Sequence, residues 1–159
     1  MEYADIDRVW DLMKKINICM LATWDGRELH ARPMGAYVRR EENAIYFLSD
    51  ARRHKDDEIR QYAKVCLAFA DTSAQKYVSV AGHAEVSSDR AKIRELWGTP
   101  AKAWWDTPED PNIRVLKVAP QEAEFWEGSG TTLAYVKMAA AALTGSRPDM
   151  GENRKVGMR

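Results

Sequence analysis

Apolar and polar positions follow two different periods along this chain, and the changes of period mark its elements. Ile6, Val9, Trp10, Met13 and Ile16 recur at helical spacing behind Asp5, which can cap the start, so a one-faced helix opens the chain. Asn17 to Trp24 reads as a strand, Asp25-Gly26 as a hairpin turn, and Arg27 to Val38 as the returning strand. Pro33 inside that strand has no N–H for a ladder, which requires a sheet edge or a bulge. Glu41-Glu42-Asn43 turns the chain into a short apolar run, Ala44 to Leu48, ending at Ser49 and read as a buried strand.

A short helix from about Asp56 to Ala63 follows. Val65–Ala70 and Lys76–Val86 are the next strands, joined at Asp71-Thr72-Ser73, and Gly82 marks a kink or a close backbone approach. Ser88-Asp89 caps a helix that ends near Trp97-Gly98. Pro100 to Pro111 is a loop or broken helix carrying Trp104 and Trp105; on an extended segment these neighbours point apart, so one packs and the other lines a pocket. Ile113–Val118 is a sixth strand, with Ala123–Trp126 extending or following it. An alanine-rich helix, Thr132 to Leu143, ends at Gly145, and residues 146–159, with Pro148, Gly151 and Gly157, form a tail without a periodic pattern, either poorly ordered or a docking arm. About six hairpin-linked strands with covering helices read as a small antiparallel barrel, mainly β with helices.

Composition narrows the class. A chain of 159 residues is one domain, here taken as residues 1–145 plus the tail, and it is large enough to bury a core without staples. Lys+Arg and Asp+Glu both number 24, so the basic excess of a general nucleic-acid binder is missing. No apolar run reaches membrane-spanning length, and the acidic opening Met1–Asp5 lacks a signal-peptide core, which predicts a cytoplasmic protein. Cys19 and Cys66 fall among apolar strand residues and read as buried free thiols; neither has a Cys or His at metal-ligand spacing, so no metal site is expected.

The chemistry gathers between Arg32 and Ile59. Within six residues of Ser49 stand Arg52, Arg53, His54 and Lys55, just ahead of a helix. A hydroxyl at a strand end, clustered cations and the free N–H groups of a helix start together make an anion receptor. A solvated basic turn is the competing reading of the same residues.

Six segments, in order from Val9 to Trp126, resemble the flavin-binding split-barrel superfamily of the pyridoxamine 5′-phosphate oxidases, and more closely its general stress protein 26 branch. They are Ala31-Arg-Pro-Met34; Ile45-Tyr-Phe-Leu-Ser49 with Lys55 and Glu58-Ile59; Tyr77-Val-Ser-Val-Ala-Gly82; Asp89 through Leu96-Trp97; Glu109-Asp-Pro111; and Ala123-Glu-Phe-Trp126. The resemblance implies a six-stranded antiparallel FMN-binding split barrel, homodimeric, with FMN at the subunit interface. By motif, Arg32 and Lys55 would hold the flavin phosphate, Ser49 would bond phosphate or ribityl chain, and Arg53 and His54 would flank it. Pro33, Met34 and Gly35 would run along the isoalloxazine edge. Phe47 and Leu48 belong to the same implied set, as do Tyr77 and Trp126, the latter given across the dimer. Taken alone, Arg32 reads as an exposed strand residue and Trp126 as barrel core.

The chain also departs from the oxidases. Cations that hold a vitamin B6 phosphate there fall here on Tyr37, Thr99 and Val136, so that substrate is not expected. No catalytic acid or base stands out: His30, His54 and His83 lie on or beside strands. Three functions stay open: an FMN oxidoreductase acting on a small molecule, a non-enzymatic flavin-binding redox sensor, or a split barrel that has taken a deazaflavin or haem.

Overall fold

The computed structural model describes residues 2–147, 149 and 151–159; Met1 and Pro148, both part of the sequence reading, lie outside the described residues, as does Met150. Helix α1 (Glu2–Ile16) comes first, and its buried residues Val9, Trp10, Leu12 and Met13 enter the main core. Asn17, left-handed at φ 56, ends it by donating to Met13 O at 2.9 Å and turns the chain into β1. Eight strands follow in one antiparallel sheet: β1 (Ile18–Trp24), β2 (Leu29–Gly35), β3 (Tyr37–Arg39), β4 (Ala44–Asp50), β5 (Lys64–Asp71), β6 (Lys76–Ser87), β7 (Ile113–Glu127) and β8 (Glu152–Gly157). Helix α2 (Lys55–Gln61) lies between β4 and β5, α3 (Arg90–Leu96) and α4 (Thr99–Lys102) between β6 and β7, and α5 (Thr131–Thr144) between β7 and β8. No helix among the described residues is long and apolar enough to cross a membrane.

The strand order is β2-β1-β5-β6-β7-β4-β3, with β8 added on β7. Its two ends, β2 and β3, are separated in the chain by Ala36 alone. One bent stretch therefore belongs to both edges and draws the sheet into a split barrel. Pro33 sits on this edge strand in regular register opposite Met20, so the edge alternative holds and no bulge is needed there. The bulge lies instead at Ala81/Gly82, where Gly82 faces Pro120. A Cβ on Gly82 would fall 2.8 Å from Ala119 O, so the close approach expected at this glycine is real.

The expected six strands become eight for two reasons. Ala36 divides the long second strand, and the tail read as patternless contains β8. Glu152 to Lys155 are all exposed, which hides the alternation, while Val156 and Met158 drop into the main core. β7 runs unbroken through Pro120, which keeps its place opposite Gly82, and the bulge skips the next residue, Gln121.

β4 is buried on both faces. Ile45 and Phe47 point into the main core, and Ala44, Tyr46 and Leu48 into a second cluster with Ile93, Leu96, Ala101 and Trp105. A continuous apolar run is what such a two-sided strand requires. Cys19 is buried, and burial pushes its thiol up to about 12. Cys66 is only half-buried, on the opposite face, contrary to the expectation of two buried thiols.

Candidate functional site

The strand end of β4, the edge strand β2 and the segment around α4 enclose a cavity of about 490 Å³. Its wall brings together Arg32, Pro33, Met34 and Gly35 with Leu48, Ser49, Arg53 and Lys55, eight of the residues named from the motif. Asp50, Arg52, Tyr37 and Pro100, Ala101, Trp104 and Trp105 complete it.

Each polar group is set by its element. Ser49 is two residues beyond Phe47 and shares its face; Phe47 fills the core, and Ser49 meets the cavity where the strand runs out. Its Oγ is buried and has no hydrogen-bond partner among the described residues. Asp50 caps the 3-10 turn Ala51–Arg53, accepting from Arg52 N at 2.9 Å, and it takes Arg52 Nε at 2.9 Å and Trp105 Nε1 at 3.2 Å. The Arg52 guanidinium holds the Asp50 carboxyl well below the usual carboxylate range. His54, left-handed at φ 61, reverses the chain out of that turn into α2.

The cations differ in their company. Arg32 Nη1 donates to Thr23 Oγ1 at 2.7 Å and Leu21 O at 3.2 Å, and its Nη2 lies 3.6 Å from Glu58 Oε2. Thr23, itself buried, donates to the same Glu58 oxygen at 2.9 Å. Lys55 has no carboxylate at ion-pair distance among the described residues; its Nζ rests 3.4 Å from Met34 Sδ. Burial pushes the Lys55 pKa down, and Arg32 and Arg53 push in the same direction. Arg53 lies over the Trp104 ring, 5.5 Å from its centroid. Of the tryptophan pair, Trp105 packs and Trp104 stands exposed, although both touch the cavity.

Four residues of the motif reading lie off this wall. Phe47 is fully buried in the main core. His54 is exposed, its Nδ1 3.2 Å from Asp57 Oδ2. Tyr77 and Trp126 oppose each other on β6 and β7, on the outward face of the sheet. The helix start also offers less than expected: α2 is seven residues long and carries Asp56, Asp57 and Glu58 in its first turn. The sequence reading had no partner for Arg32; the Thr23–Glu58 pair joins β1 to α2 and has no local signal. Asp50 could have been found, since an Asp two residues before an Arg at a turn is a common self-bonding pattern.

The cavity opens beside a bare apolar surface. Pro33 and Gly35 line it and also alternate with Leu29 and Ala31 on the outward side of β2. Opposite them on β1 stand Ile18, Met20, Ala22 and Trp24, and Ala68 continues the face on β5.

The chain is similar in sequence and fold to known proteins. General stress protein 26 of Bacillus subtilis is 27% identical over 140 residues, spanning 83% of this chain and 96% of that protein. The crystal structure of a putative general stress protein 26 from Jannaschia sp. CCS1 matches with a TM-score of 0.74 at 27% identity, covering 97% of this chain and 98% of that one. The general stress FMN/FAD binding protein from Xanthomonas citri matches with a TM-score of 0.69 at 24% identity, over 79% of this chain and 89% of that one. A family model described as pyridoxamine 5′-phosphate oxidase like matches residues 4–149, nearly the whole length, and the chain belongs to that family.

Proposed function

We propose that the cavity holds FMN in a homodimer that works as an oxidoreductase on a small molecule. One observation carries this reading: among the described residues the buried Ser49 hydroxyl has no hydrogen-bond partner and the half-buried Lys55 has no carboxylate at ion-pair distance, and both line the same cavity. A buried hydroxyl and an uncompensated ammonium are each unfavourable until an anion reaches them. A phosphate monoester, with about −1.5 to −2 charges at neutral pH, satisfies both at once. Arg53 adds a further cation, and Arg32 keeps donors free beyond those given to Thr23 and Leu21.

The rest of the wall suits a planar ring. Leu48, Pro33, Trp104 and Trp105 are apolar or aromatic, and the volume falls within the range of about 300–1,000 Å³ usual for small-molecule sites. The flavin-binding relative in Xanthomonas citri supports the choice of ligand. A bound flavin supplies hydride and electron transfer, while the protein positions it and excludes water. Ser49 and Lys55 would anchor the phosphate, and the β2 edge at Pro33–Gly35 would run along the ring. Tyr77 and Trp126, away from this wall, would reach a flavin only from the partner subunit.

A vitamin B6 phosphate is a poor second ligand. Tyr37 lines the cavity where a cation would be needed, and burial pushes its phenol pKa up, so it stays neutral. Thr99 and Val136 replace the other cations. Pyridoxamine phosphate given to the flavin-loaded protein should therefore yield no pyridoxal phosphate; efficient formation would overturn this part.

Two copies would meet across the outward face of β1 and β2, where Ile18, Met20, Trp24 and Leu29 are exposed. Light scattering that finds a monomer with FMN bound would sink the dimer. The binding site itself is tested by titrating FMN and riboflavin into wild type and Lys55→Ala. The substitution should weaken FMN about 10- to 100-fold, the equivalent of about 1.5–3 kcal/mol for a charged hydrogen bond, and leave riboflavin nearly unchanged. Equal binding of the two flavins by wild type would place the phosphate site elsewhere.

A further inference from the structure

The chain leaves the sheet after Glu127 and returns to it at Glu152, on the same rung. Glu127 on β7 pairs with Glu152 on β8, and Trp126 with Asn153, so one ladder holds both ends of the excursion. Its root is tight. Gly128 N–H donates to Gln75 O at 2.7 Å, and Arg8 pairs with Glu127. Gly151 sits at φ +108, and a Cβ there would lie 1.8 Å from Glu127 O, so a side chain has no room.

The excursion carries α5, and α5 scarcely packs on its own barrel. Among its residues with described side chains only Ala134 is buried, while Leu133, Tyr135, Val136, Met138 and Leu143 are exposed, Leu143 by 89%. A helix of 14 residues is close to the length at which isolated helices are marginal in water, so packing from outside the barrel has to support it. A membrane surface suits it poorly. Interfacial helices carry a strongly charged face, whereas α5 has Lys137 alone, and that ammonium donates to Ser129 Oγ at 2.6 Å.

We infer that α5 is a clasp that packs on a second copy of this chain. This rests on the reading that two copies meet across the outward sheet face. The observation that selects a second copy is continuity. The excursion starts directly after Trp126, which opposes Tyr77 on the outward face of β6 and β7. That strand pair borders β5 and β1, whose outward residues form the bare apolar surface. A twofold contact through that surface carries the edge of each patch onto the partner, and α5 with it. The root fixes where the clasp begins; the apolar helix supplies the grip.

Sedimentation equilibrium of the full chain over a dilution series tests the clasp. The variants are Leu133→Ala/Val136→Ala, which keeps helix propensity, Leu133→Glu/Val136→Glu, and Met20→Glu on the sheet face. Circular dichroism and thermal melting confirm that each is folded. Both α5 variants should raise the dimer dissociation constant about tenfold or more, and hydrogen exchange of the α5 amides should slow only at dimer-forming concentrations. Unchanged dimerisation in the α5 variants, with Met20→Glu weakened, overturns the clasp and leaves the sheet-face dimer standing. A wild type that is monomeric at every concentration overturns both. Cosedimentation of wild type, but not the α5 variants, with phosphatidylserine/phosphatidylcholine vesicles overturns the clasp in favour of a membrane.

Discussion

Arg32 and Lys55 stand on the same cavity wall and carry the same charge, yet they are opposite kinds of cation. Arg32 is answered from within the chain: Thr23, Leu21 O and Glu58 all receive it or balance it. Lys55 has no carboxylate at ion-pair distance among the described residues, only a thioether; Asp50 and Asp56 attract it from farther off, while burial and its neighbours Arg32 and Arg53 oppose its charge. Arg52, with Asp50, belongs with Arg32; Arg53, over Trp104, belongs with Lys55. The difference separates cations balanced by a carboxylate of the fold from cations with none at ion-pair distance among the described residues. A charge kept without a partner weakens the free protein, and that cost is the sign of a site.

The largest test sets the two residues against each other. Arg32→Met should lower the stability of the ligand-free protein by about 1–3 kcal/mol, because Thr23 Oγ1 loses its donor and Glu58 its balancing cation in a part-buried place. Lys55→Met should leave that stability unchanged or raise it while weakening FMN. Denaturant midpoints of both variants, read beside FMN titrations, check the opposite signs; a loss of similar size in Lys55→Met would erase the distinction.

Glu58→Gln comes next, at about 1 kcal/mol, since the amide still accepts from Thr23 but no longer balances Arg32. Its effect should vanish in an Arg32→Met background, a double-mutant cycle that isolates the pair. A Glu58→Gln cost that survives intact there would show that the carboxylate serves some other contact.

Trp104→Ala should cost about 0.5–1 kcal/mol, the scale of an exposed cation–π contact, visible as a small drop in melting temperature. In the free protein that is all it touches of Arg53. A much larger drop would mean that Trp104 belongs to the packed layer with Trp105.

A pH series gives the smallest effect and the most direct view of Lys55. Its folded pKa lies below the ordinary lysine value of 10.5, so between the two the unfolded chain binds more protons. Stability from this group therefore rises as pH climbs through the folded pKa and levels off past 10.5. Denaturant midpoints of wild type and Lys55→Met should converge over that window. Parallel curves would mean that Lys55 titrates like a free lysine.

Much of this was written in the chain itself. Local rules placed the Asp25-Gly26 turn, the cap at Asp89 and Gly145 after α5, because each depends on residues within a few positions of one another; they limited Pro33 to an edge or a bulge, and the strand order decided for the edge. The motif around Ser49 and Lys55 was legible for the same reason: strand end, turn and helix are contiguous. What the sequence left undecided needed contacts between distant segments. The closure of the sheet through Ala36 depends on where β2 and β3 each find a partner. β8 is strand only because β7 offers a ladder, since its exposed polar residues show no period. Phe47 and Ser49 share one face of β4 and Leu48 has the other, yet Phe47 lies in the core while Leu48 and Ser49, at the end of the strand, line the cavity, a difference set by what packs around each. The same holds for the contrast between the cations. Arg32 and Lys55 look alike as residues, and only folding, by bringing Thr23 and Glu58 to one and no carboxylate to the other, makes the first structural and the second available.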